Sequence, residues 1–481
     1  MHYDRYVPPC PTGTAATSFR RPALVLPVAV IGGGITGLTA AWELQRAGHK
    51  VTILENGPRL GGAIGTHREE GWLHELGPNS LLDRSGELSA FVEALGLGGR
   101  RLDASYEARR RYVVRGGALR AMPASPLGFV STRLFSWRAK AGLLREPWRP
   151  RVGNDEEESV ASFVRRRLGQ EFLDYAVNPF VGGVYAGDPE ALSVEHGFPR
   201  LHALEREHGS LLRGAWKRRN PSGAPRGSIF SFTAGLQELT NAIVRPLEGA
   251  VRLHARITAL RQRESSWEIE YWHNGAMRRE FFSAVVCAVP AGALARLPFE
   301  NLAVSGHLQL VSEIEHPPVA SVFTGYRRCD VAHPLDGFGL LVPEVEHARI
   351  LGTLFSSSMF AGRAPAGHVG LTTFVGGVRQ PEWAQVDDEQ LCRLVAQELT
   401  RLLGAGTPVY THIRRWPRAI PQYTLGYGRY KEAIAAAEAA APGLHIGGSL
   451  RDGISVGQCL AAGRRLAASV SSLQPLPSPG K

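Results

Sequence analysis

Val28-Ala29-Val30-Ile31-Gly32-Gly33-Gly34-Ile35-Thr36-Gly37 is the stretch that decides the fold. Four apolar strand-formers run into three glycines, and Leu38 to Leu44 then reads as a helix. Gly32 permits the tight strand-to-helix turn, Gly34 lets the backbone approach a pyrophosphate, and Gly37 lets helix and strand pack closely. The helix N-terminus then faces phosphate charge, which its free N–H groups and dipole favour. A second apolar run, Val51-Thr52-Ile53-Leu54, ends on Glu55, placed to accept hydrogen bonds from adenosine ribose hydroxyls. Glycine triplets alone are common. Strand, helix, second strand and terminal acid in this order predict a Rossmann-type dinucleotide-binding unit.

Outward from this unit, residues 28 to 88 read as the opening βαβ element and its continuation. Arg59-Leu60-Gly61-Gly62 offers a positive side chain and two compact backbone positions for a diphosphate. Glu75-Leu76-Gly77-Pro78-Asn79 is a turn able to run close to a flat ring. Residues 89 to 220 read as mainly helical, with Asp155-Glu156-Glu157-Glu158-Ser159 suited to a helix N-terminus before Val160, Phe163, Val164 and Leu168. Between Ser228 and Pro290 the pattern turns to strands, and Ala284 to Val289 reads as a buried parallel strand. Residues 293 to 420 mix strands (Val319 to Tyr326, Gly339 to Val342, Leu351 to Phe355, Gly370 to Val375) with one helix near Asp387 to Leu403. Near the end, Leu444-His445-Ile446 leads through Gly447-Gly448-Ser449-Leu450-Arg451-Asp452-Gly453 into a helix from about Ser455. That is a second place for negative charge to rest, such as the pyrimidine end of a reduced flavin.

The 481 residues suggest two or three domains of ordinary globular composition, 44% hydrophobic and 21% charged. No apolar run reaches the roughly 18 residues that span a bilayer. Residues 1 to 22 carry Arg5, Arg20 and Arg21 but lack the apolar core of a secretory signal; a disordered tail or a misassigned start is the preferred reading over an organelle-targeting leader. Pro475 to Lys481 reads as a tail. Cys10, Cys287, Cys329, Cys392 and Cys459 show no Cys-x-x-Cys spacing, which argues for a reducing compartment and against a zinc site or disulfide framework, so no metal is expected. Of the net charge of +11, the segment Arg109 to Arg151 holds +10, with Glu146 its one acid. Leu127, Phe129, Leu134, Phe135, Trp137, Leu143, Leu144 and Trp148 are interleaved with that charge. An anionic membrane surface suits this mixture. A solvated arginine face is the plainer reading, and nucleic acid is disfavoured because no nucleic-acid motif accompanies the charge.

Together these pieces resemble the FAD-dependent amine oxidase-like superfamily and, within it, the oxygen-dependent protoporphyrinogen oxidases, over roughly residues 28 to 472. The segments that carry the resemblance begin with Glu75-Leu76-Gly77-Pro78-Asn79-Ser80, Arg110-Arg111-Tyr112-Val113, and the run from Asn178-Pro179-Phe180-Val181-Gly182-Gly183 through Pro189. Gly337 to Pro343, Leu351 to Ser357, Thr372 to Gly377, and Gly453-Ile454-Ser455-Val456-Gly457 complete the set. The implied cofactor is FAD. Its implied contacts are Gly32, Gly34, Ile35, Thr36, Gly37, Glu55, Arg59, Gly61, Gly62, Gly77, Pro78, Asn79, Ile257, Trp416, Gly448, Ile454, Ser455 and Val456.

The same resemblance implies a porphyrinogen substrate. Arg111 would hold a propionate, Leu341 and Leu354 would sandwich one pyrrole ring, and Phe374 would stack on another. The Gly183 carbonyl would face the reacting edge, and Asn79 would lie beside the flavin; these two are the catalytic candidates, hydride removal being the flavin's work. Glu75 reads as structural or flavin-shaping. Without the resemblance, the two leucines and Phe374 are ordinary strand residues, Arg111 a solvated charge and Asn79 a turn former. Arg109 and Arg110 precede Arg111, so a one-residue slip in the propionate partner stays open.

The expected architecture is α/β. A Rossmann-type FAD-binding domain (28–88, 228–292, 443–473) carries an inserted α+β substrate-binding domain (293–442) and a mainly helical membrane-association and substrate-entry domain (89–227), with a flexible extension at 1–27 and a tail at 474–481. The expected reaction is the six-electron oxidation of protoporphyrinogen IX by oxygen, releasing hydrogen peroxide. Coproporphyrinogen III is the rival substrate, amine oxidation a more distant rival, and a non-enzymatic porphyrin-binding flavoprotein the remotest. The chain has no lysine between Lys217 and Lys431, against an amine oxidase with lysine at the flavin; Trp416, Tyr423 and Tyr427 fit either an amine cage or a flavin pocket. Expected partners are a membrane surface, the ferrochelatase that takes the product, and a second copy in a homodimer, with no nucleic acid. The expected location is the cytoplasmic face of a cell membrane, with a mitochondrion or plastid as runner-up.

Overall fold

In the computed structural model, residues 26–150, 156–217 and 227–473 are described. The expectations for residues 1–22, Cys10, Arg151, Asp155 and the tail from 474 lie outside that range. The strand Val28–Ile31 is central in a five-stranded, all-parallel sheet. Val51–Leu54 and Ala284–Cys287 flank it, and Val251–Arg252 and Leu444–Ile446 form the outer positions. Both faces of the sheet are covered, which is why its strands read as unbroken apolar runs. Ala29, Ile31, Val285 and Cys287 pack towards Tyr423, Tyr427 and Ile434, whereas Val28, Val30 and Val286 pack towards Leu38, Phe91 and Leu239. The helix Ile35–Arg46 lies so close to its strand that a Cβ on Gly37 would sit 2.0 Å from the Gly32 carbonyl oxygen. The C-terminal helix Val456–Leu473 packs on the same helix through Gly463, whose Cβ would lie 2.6 Å from the Thr36 carbonyl oxygen.

A mixed seven-stranded sheet forms the second layer. Its order is Tyr410–Trp416, Val319–Arg327, His368–Gly376, Gly352–Leu354, Gly337–Leu341, Arg110–Arg115 and Ala118–Ala121. All neighbours are antiparallel except Gly337–Leu341 with Arg110–Arg115. One face is apolar: Ala320, Val322, Leu340, Leu371 and Val375 pack on Leu391, Leu394, Val395 and Leu399 of the helix Asp388–Leu403. Asp387 caps that helix, its carboxylate accepting from the Gln390 N–H at 2.8 Å.

A helical layer holds Val160–Arg167, Asn178–Tyr185, Pro199–His208 and Leu211–Lys217 around Phe135, Phe163, Phe172 and Leu192. Ser159 caps the first of these, accepting from the Ser162 N–H at 3.1 Å. Arg167 and Glu146 form an ion pair with both side chains 0% exposed. The Glu146 carboxylate also takes the Ser210 hydroxyl at 2.5 Å and the Leu211 N–H at 2.9 Å, so donors surround the buried charge. Among the described residues no helix is long and apolar enough to cross a membrane.

The fold departs from the sequence reading in particular places. Residues 89–227 are not uniformly helical: Arg101–Asp103, Arg110–Arg115 and Ala118–Ala121 are strands, the latter two completing the seven-stranded sheet. The buried parallel strand expected to reach Val289 ends at Cys287. The strand Tyr410–Trp416 and the helices Leu302–Leu310 and Gly428–Ala440 are additions to that reading.

Candidate functional site

Two glycine turns meet at the C-terminal edge of the parallel sheet, where α/β folds hold ligands. Gly34 is the cap of the helix Ile35–Arg46, and no side chain caps that helix. A Cβ on Gly34 would meet nothing within 4 Å, so the turn opens onto space that a ligand can fill. The loop after Glu55 leans on this turn: the Gly61 N–H donates to the Gly33 carbonyl at 2.8 Å, and a Cβ on Gly62 would lie 3.0 Å from the Gly34 Cα. Glu55 is fixed by backbone, its carboxylate accepting the Gly33 N–H at 2.7 Å and the Gly57 N–H at 2.6 Å. Each oxygen keeps a further acceptor direction for a ribose hydroxyl. Arg59 is otherwise engaged. Its guanidinium donates to the Ile64 carbonyl at 2.9 Å and the Gly62 carbonyl at 2.7 Å, so it shapes the loop.

The C-terminal turn reaches the same helix start. Gly448, at φ 118°, would carry a Cβ 3.5 Å from Thr36 Oγ1, and its N–H donates to Asp452 at 2.8 Å. Ser455 caps the helix Val456–Leu473, its hydroxyl accepting from the Gln458 N–H at 3.2 Å. Ile257 and Ile454 pack on one face of the parallel-sheet core and Val456 on the other. Sequence reasoning missed how this turn is held: the Tyr423 hydroxyl donates to the Ser449 carbonyl and accepts from the Gly453 N–H at 2.8 Å, while Tyr427 donates to the Leu450 carbonyl at 2.7 Å. Burial pushes both phenols above their ordinary range. Both rings are buried in the core of the parallel sheet, 3% and 0% exposed, so they present no open face for an amine, and Lys431 lies against His196 at 3.2 Å.

The turn Glu75–Asn79 completes the cleft. Trp416 donates its indole N–H to the Leu76 carbonyl at 2.9 Å, tying the mixed sheet's edge strand to this turn. Gly77 fits because a Cβ there would stand 2.2 Å from the Ala63 carbonyl oxygen. Asn79 donates its amide to the Gly77 carbonyl at 3.0 Å, and Pro78 lies between them. Glu75 is buried; its carboxylate accepts the Thr66 hydroxyl at 2.6 Å and the Leu236 N–H at 3.0 Å, with Arg363 at 3.6 Å. Burial pushes the Glu75 carboxyl upward against these partners. Its surroundings make it a structural cross-link.

The substrate candidates share one face of the mixed sheet. Because directly paired residues point the same way, strand register places Ser321, Phe374, Gly352, Leu341 and Val113 in one row across it. Phe323, Thr372, Leu354, Gly339 and Arg111 form the next row on that face. Phe374, Leu341 and Leu354 are half-buried and Arg111 is exposed. Glycines missed by the sequence reading stand between them, Gly352 between Phe374 and Leu341 and Gly339 between Leu354 and Arg111, so these two positions of the trough carry no side chain. Their signal was the glycine spacing of Gly337-Phe338-Gly339 and Leu351-Gly352. Gly183, from the helix Asn178–Tyr185, closes the trough: a Cβ there would lie 2.3 Å from Leu341 Cδ2. The three neighbouring arginines separate cleanly. Arg110 pairs with Asp336, and Arg109 stacks over Tyr106 at 3.8 Å. Arg111 has no acid partner among the described residues and lies 5.4 Å from the Phe338 ring centre.

Residues 35–471 match the model of the flavin containing amine oxidoreductase family. The mitochondrial protoporphyrinogen oxidase of Nicotiana tabacum is 34% identical to this chain, over 91% of it and 93% of the relative. The coproporphyrinogen III oxidase of Bacillus subtilis is 29% identical, over 91% and 96%. A solved structure from Exiguobacterium sp. 255-15, provisionally named a protoporphyrinogen oxidase, superposes with a TM-score of 0.79 at 24% identity, covering 93% of this chain and 99% of that one. The chain belongs to the flavin-containing amine oxidoreductase family. It is a flavin-dependent oxidoreductase with FAD as its cofactor, and the cleft fits that group: an uncapped helix start, an open glycine cradle at Gly34 and a backbone-anchored acid at Glu55.

Proposed function

We propose that this chain oxidises protoporphyrinogen IX to protoporphyrin IX, removing six electrons while three molecules of oxygen become hydrogen peroxide. The observation that carries the reading is the trough, in which Phe374, Leu341 and Leu354 stand around two glycines with Arg111 at the rim and Gly183 opposite. A broad apolar macrocycle bearing carboxylates wants greasy walls and a guanidinium at the mouth. When bound, FAD supplies the hydride acceptor and the route of electrons to oxygen. The chain's own part is to hold and orient. Gly34, Ile35, Thr36, Gly61 and Gly62 would cradle the diphosphate, Glu55 and Ile257 would hold the adenosine end, and Gly448, Ile454 and Ser455 the pyrimidine end. Pro78, Asn79 and Trp416 would bound the flavin ring. Leu341, Leu354 and Phe374 would exclude water from the reacting methylene bridge, Arg111 would hold a propionate, and the backbone at Gly183 would sit against the ring edge.

Coproporphyrinogen III, named for the relatives from Bacillus subtilis and Staphylococcus aureus, is the second reading. It has four propionates to satisfy. Along Arg109–Arg111, Arg110 is taken by Asp336, whereas Arg109, stacked on Tyr106, and Arg111 have no acid partner among the described residues. Peripheral membrane binding is part of the proposal. Leu127, Trp137, Leu144, Trp148 and Trp216 are 84%, 69%, 71%, 77% and 76% exposed, in a region where Glu146 is buried. Apolar tips among arginines suit an anionic membrane face, which supports a place on the inner face of a cell membrane, with a mitochondrial or plastid membrane as the alternative. The test is porphyrin fluorescence after mixing the FAD-loaded protein in air with either porphyrinogen. Rapid protoporphyrin formation with peroxide supports the proposal. Preference for coproporphyrinogen III would replace the substrate, and no rate above air oxidation with either would refute the porphyrinogen reading.

A further inference from the structure

Apart from the trough, three histidines converge where the hairpin of Thr66–Glu69 and Trp72–Glu75 meets the edge strand Tyr410–Trp416. The hairpin turns through Glu70 and Gly71, both at positive φ (48° and 83°), the pattern of a tight two-residue turn. That turn sets the register in which His67 and His74 lie directly opposite one another, on one face of the hairpin. His412 brings a third ring from the mixed sheet. Its centre is 4.5 Å from that of His67 and 4.5 Å from that of His74, and the latter two are 5.1 Å apart. One ring nitrogen from each residue lies within 4.8 Å of the others. Glu69 adds negative charge at the rim, 3.3 Å from His67 Nε2, and accepts the Tyr410 hydroxyl at 2.9 Å.

We propose that His67, His74 and His412 bind one divalent transition-metal ion of the zinc type, joining the hairpin to the mixed sheet. Neutral imidazole is a favoured ligand for such ions, and three of them form a site with a position left for water or a carboxylate. Zinc–nitrogen bonds of about 2.0–2.1 Å put tetrahedral ligand atoms about 3.3 Å apart. Closing from 4.8 Å or less moves each nitrogen inward by under about 1 Å, and because His67 and His412 stack at 29°, one of these rings must also turn to aim its nitrogen at the ion. A site drawn from two strands of one hairpin and the edge of another sheet has its ligands held by backbone pairing on all sides. Its position gives it reach. The hairpin runs straight into the Glu75–Asn79 turn, and the edge strand ends at Trp416, which bonds to Leu76 in that turn. A bound ion therefore holds together the two segments that border the flavin ring.

The experiment titrates untagged, FAD-loaded protein, first stripped with a chelator, with Co2+ and then with Zn2+. The expected result is one Co2+ per chain with the visible absorption of a four-coordinate site, displaced by Zn2+. Zinc should raise the melting temperature, because an ion that binds only the folded chain stabilises it. His67→Gln and His412→Asn should each weaken the affinity at least about tenfold and abolish the zinc-dependent rise in melting temperature. His67 is partly exposed, so its variant should keep full flavin content even if His412→Asn folds poorly. Failure to take up one equivalent of Co2+ would overturn the proposal. So would uptake that neither variant weakens.

Discussion

Gly183→Ala adds one carbon where the helix Asn178–Tyr185 meets the proposed substrate trough. The new Cβ would lie 2.3 Å from Leu341 Cδ2, whereas carbon atoms rest about 3.5–4.0 Å apart. Leu341 must therefore move about 1.2–1.7 Å. It can, because the obstructing atom is the end of a half-buried side chain facing the trough. An off-rotamer leucine costs about 0.5–1.5 kcal/mol, while alanine for glycine inside a helix returns about 0.5–1 kcal/mol. The two nearly cancel, so the melting temperature should barely change. Catalysis should suffer more, since a displacement of about 1 Å in a substrate-positioning group can cost about 100-fold. We expect kcat/KM for protoporphyrinogen to fall about 10- to 100-fold, measured as initial rates of porphyrin fluorescence alongside thermal melts. Truncating the obstructing side chain separates this mechanism from others. Leu341→Ala alone should lower kcat/KM, yet adding Gly183→Ala to it should cause little further loss, because the colliding atoms are gone. If Gly183→Ala costs as much in the Leu341→Ala background as it does beside the native leucine, the steric argument is wrong.

Arg111→Ala removes a charge-assisted contact of about 1.5–3 kcal/mol, discounted for exposure, so KM should rise about tenfold with kcat nearly unchanged in steady-state assays. Glu146→Ala leaves the buried Arg167 with Glu205, 3.5 Å away, as its remaining carboxylate partner and should cost about 3 kcal/mol in denaturant unfolding, the low end for breaking a buried pair. Burial opposes ionisation of Glu146, but the Ser210 hydroxyl, the Leu211 and Leu212 amides and Arg167 outweigh it and hold the carboxyl below its ordinary 4.5. The pair's contribution is thus complete above about pH 4.5 and lost as pH falls through the lower folded value, an acid-side loss of stability that Glu146→Ala should no longer show. Replacing Trp137 and Trp148 with serine should weaken co-sedimentation with anionic liposomes at least about tenfold, while turnover of dispersed substrate stays the same.

What could be read from the sequence was what short-range chemistry dictates. The strand, glycine turn and helix of residues 28–46 need only neighbours in the chain, and they form where Gly32, Gly34 and Gly37 allow the turn and the close packing. Leu341, Leu354 and Phe374 are legible as strand residues, but nothing local says which face of a strand they occupy. That depends on pairing between segments as far apart as Arg111 and Gly339. Arg110–Arg115 reads as part of a helical region because its arginines mask the alternation; its strand character comes from Gly337–Leu341. In Gly428–Ala440 alanines lie on every face, so the buried stripe of Tyr430, Ala433, Ile434 and Ala437 does not stand out in the sequence. His412 stands more than 300 residues from His67 and His74, so only the folded chain brings the three together.

The parallel pairing of Arg110–Arg115 with Gly337–Leu341 also governs how the chain is made. The two strands ending at Ala121 can find their sheet only after about 220 more residues have left the ribosome, roughly 11–44 s at common synthesis rates. During that interval a strand pair rich in arginine waits with an open edge, and those charges discourage it from pairing with other chains. The dinucleotide cradle waits longer still. Its central strand is Val28–Ile31, but the Gly448 turn and the helix after it lie about 400 residues further along the chain, so the cofactor can be locked in only once that intervening length has been made.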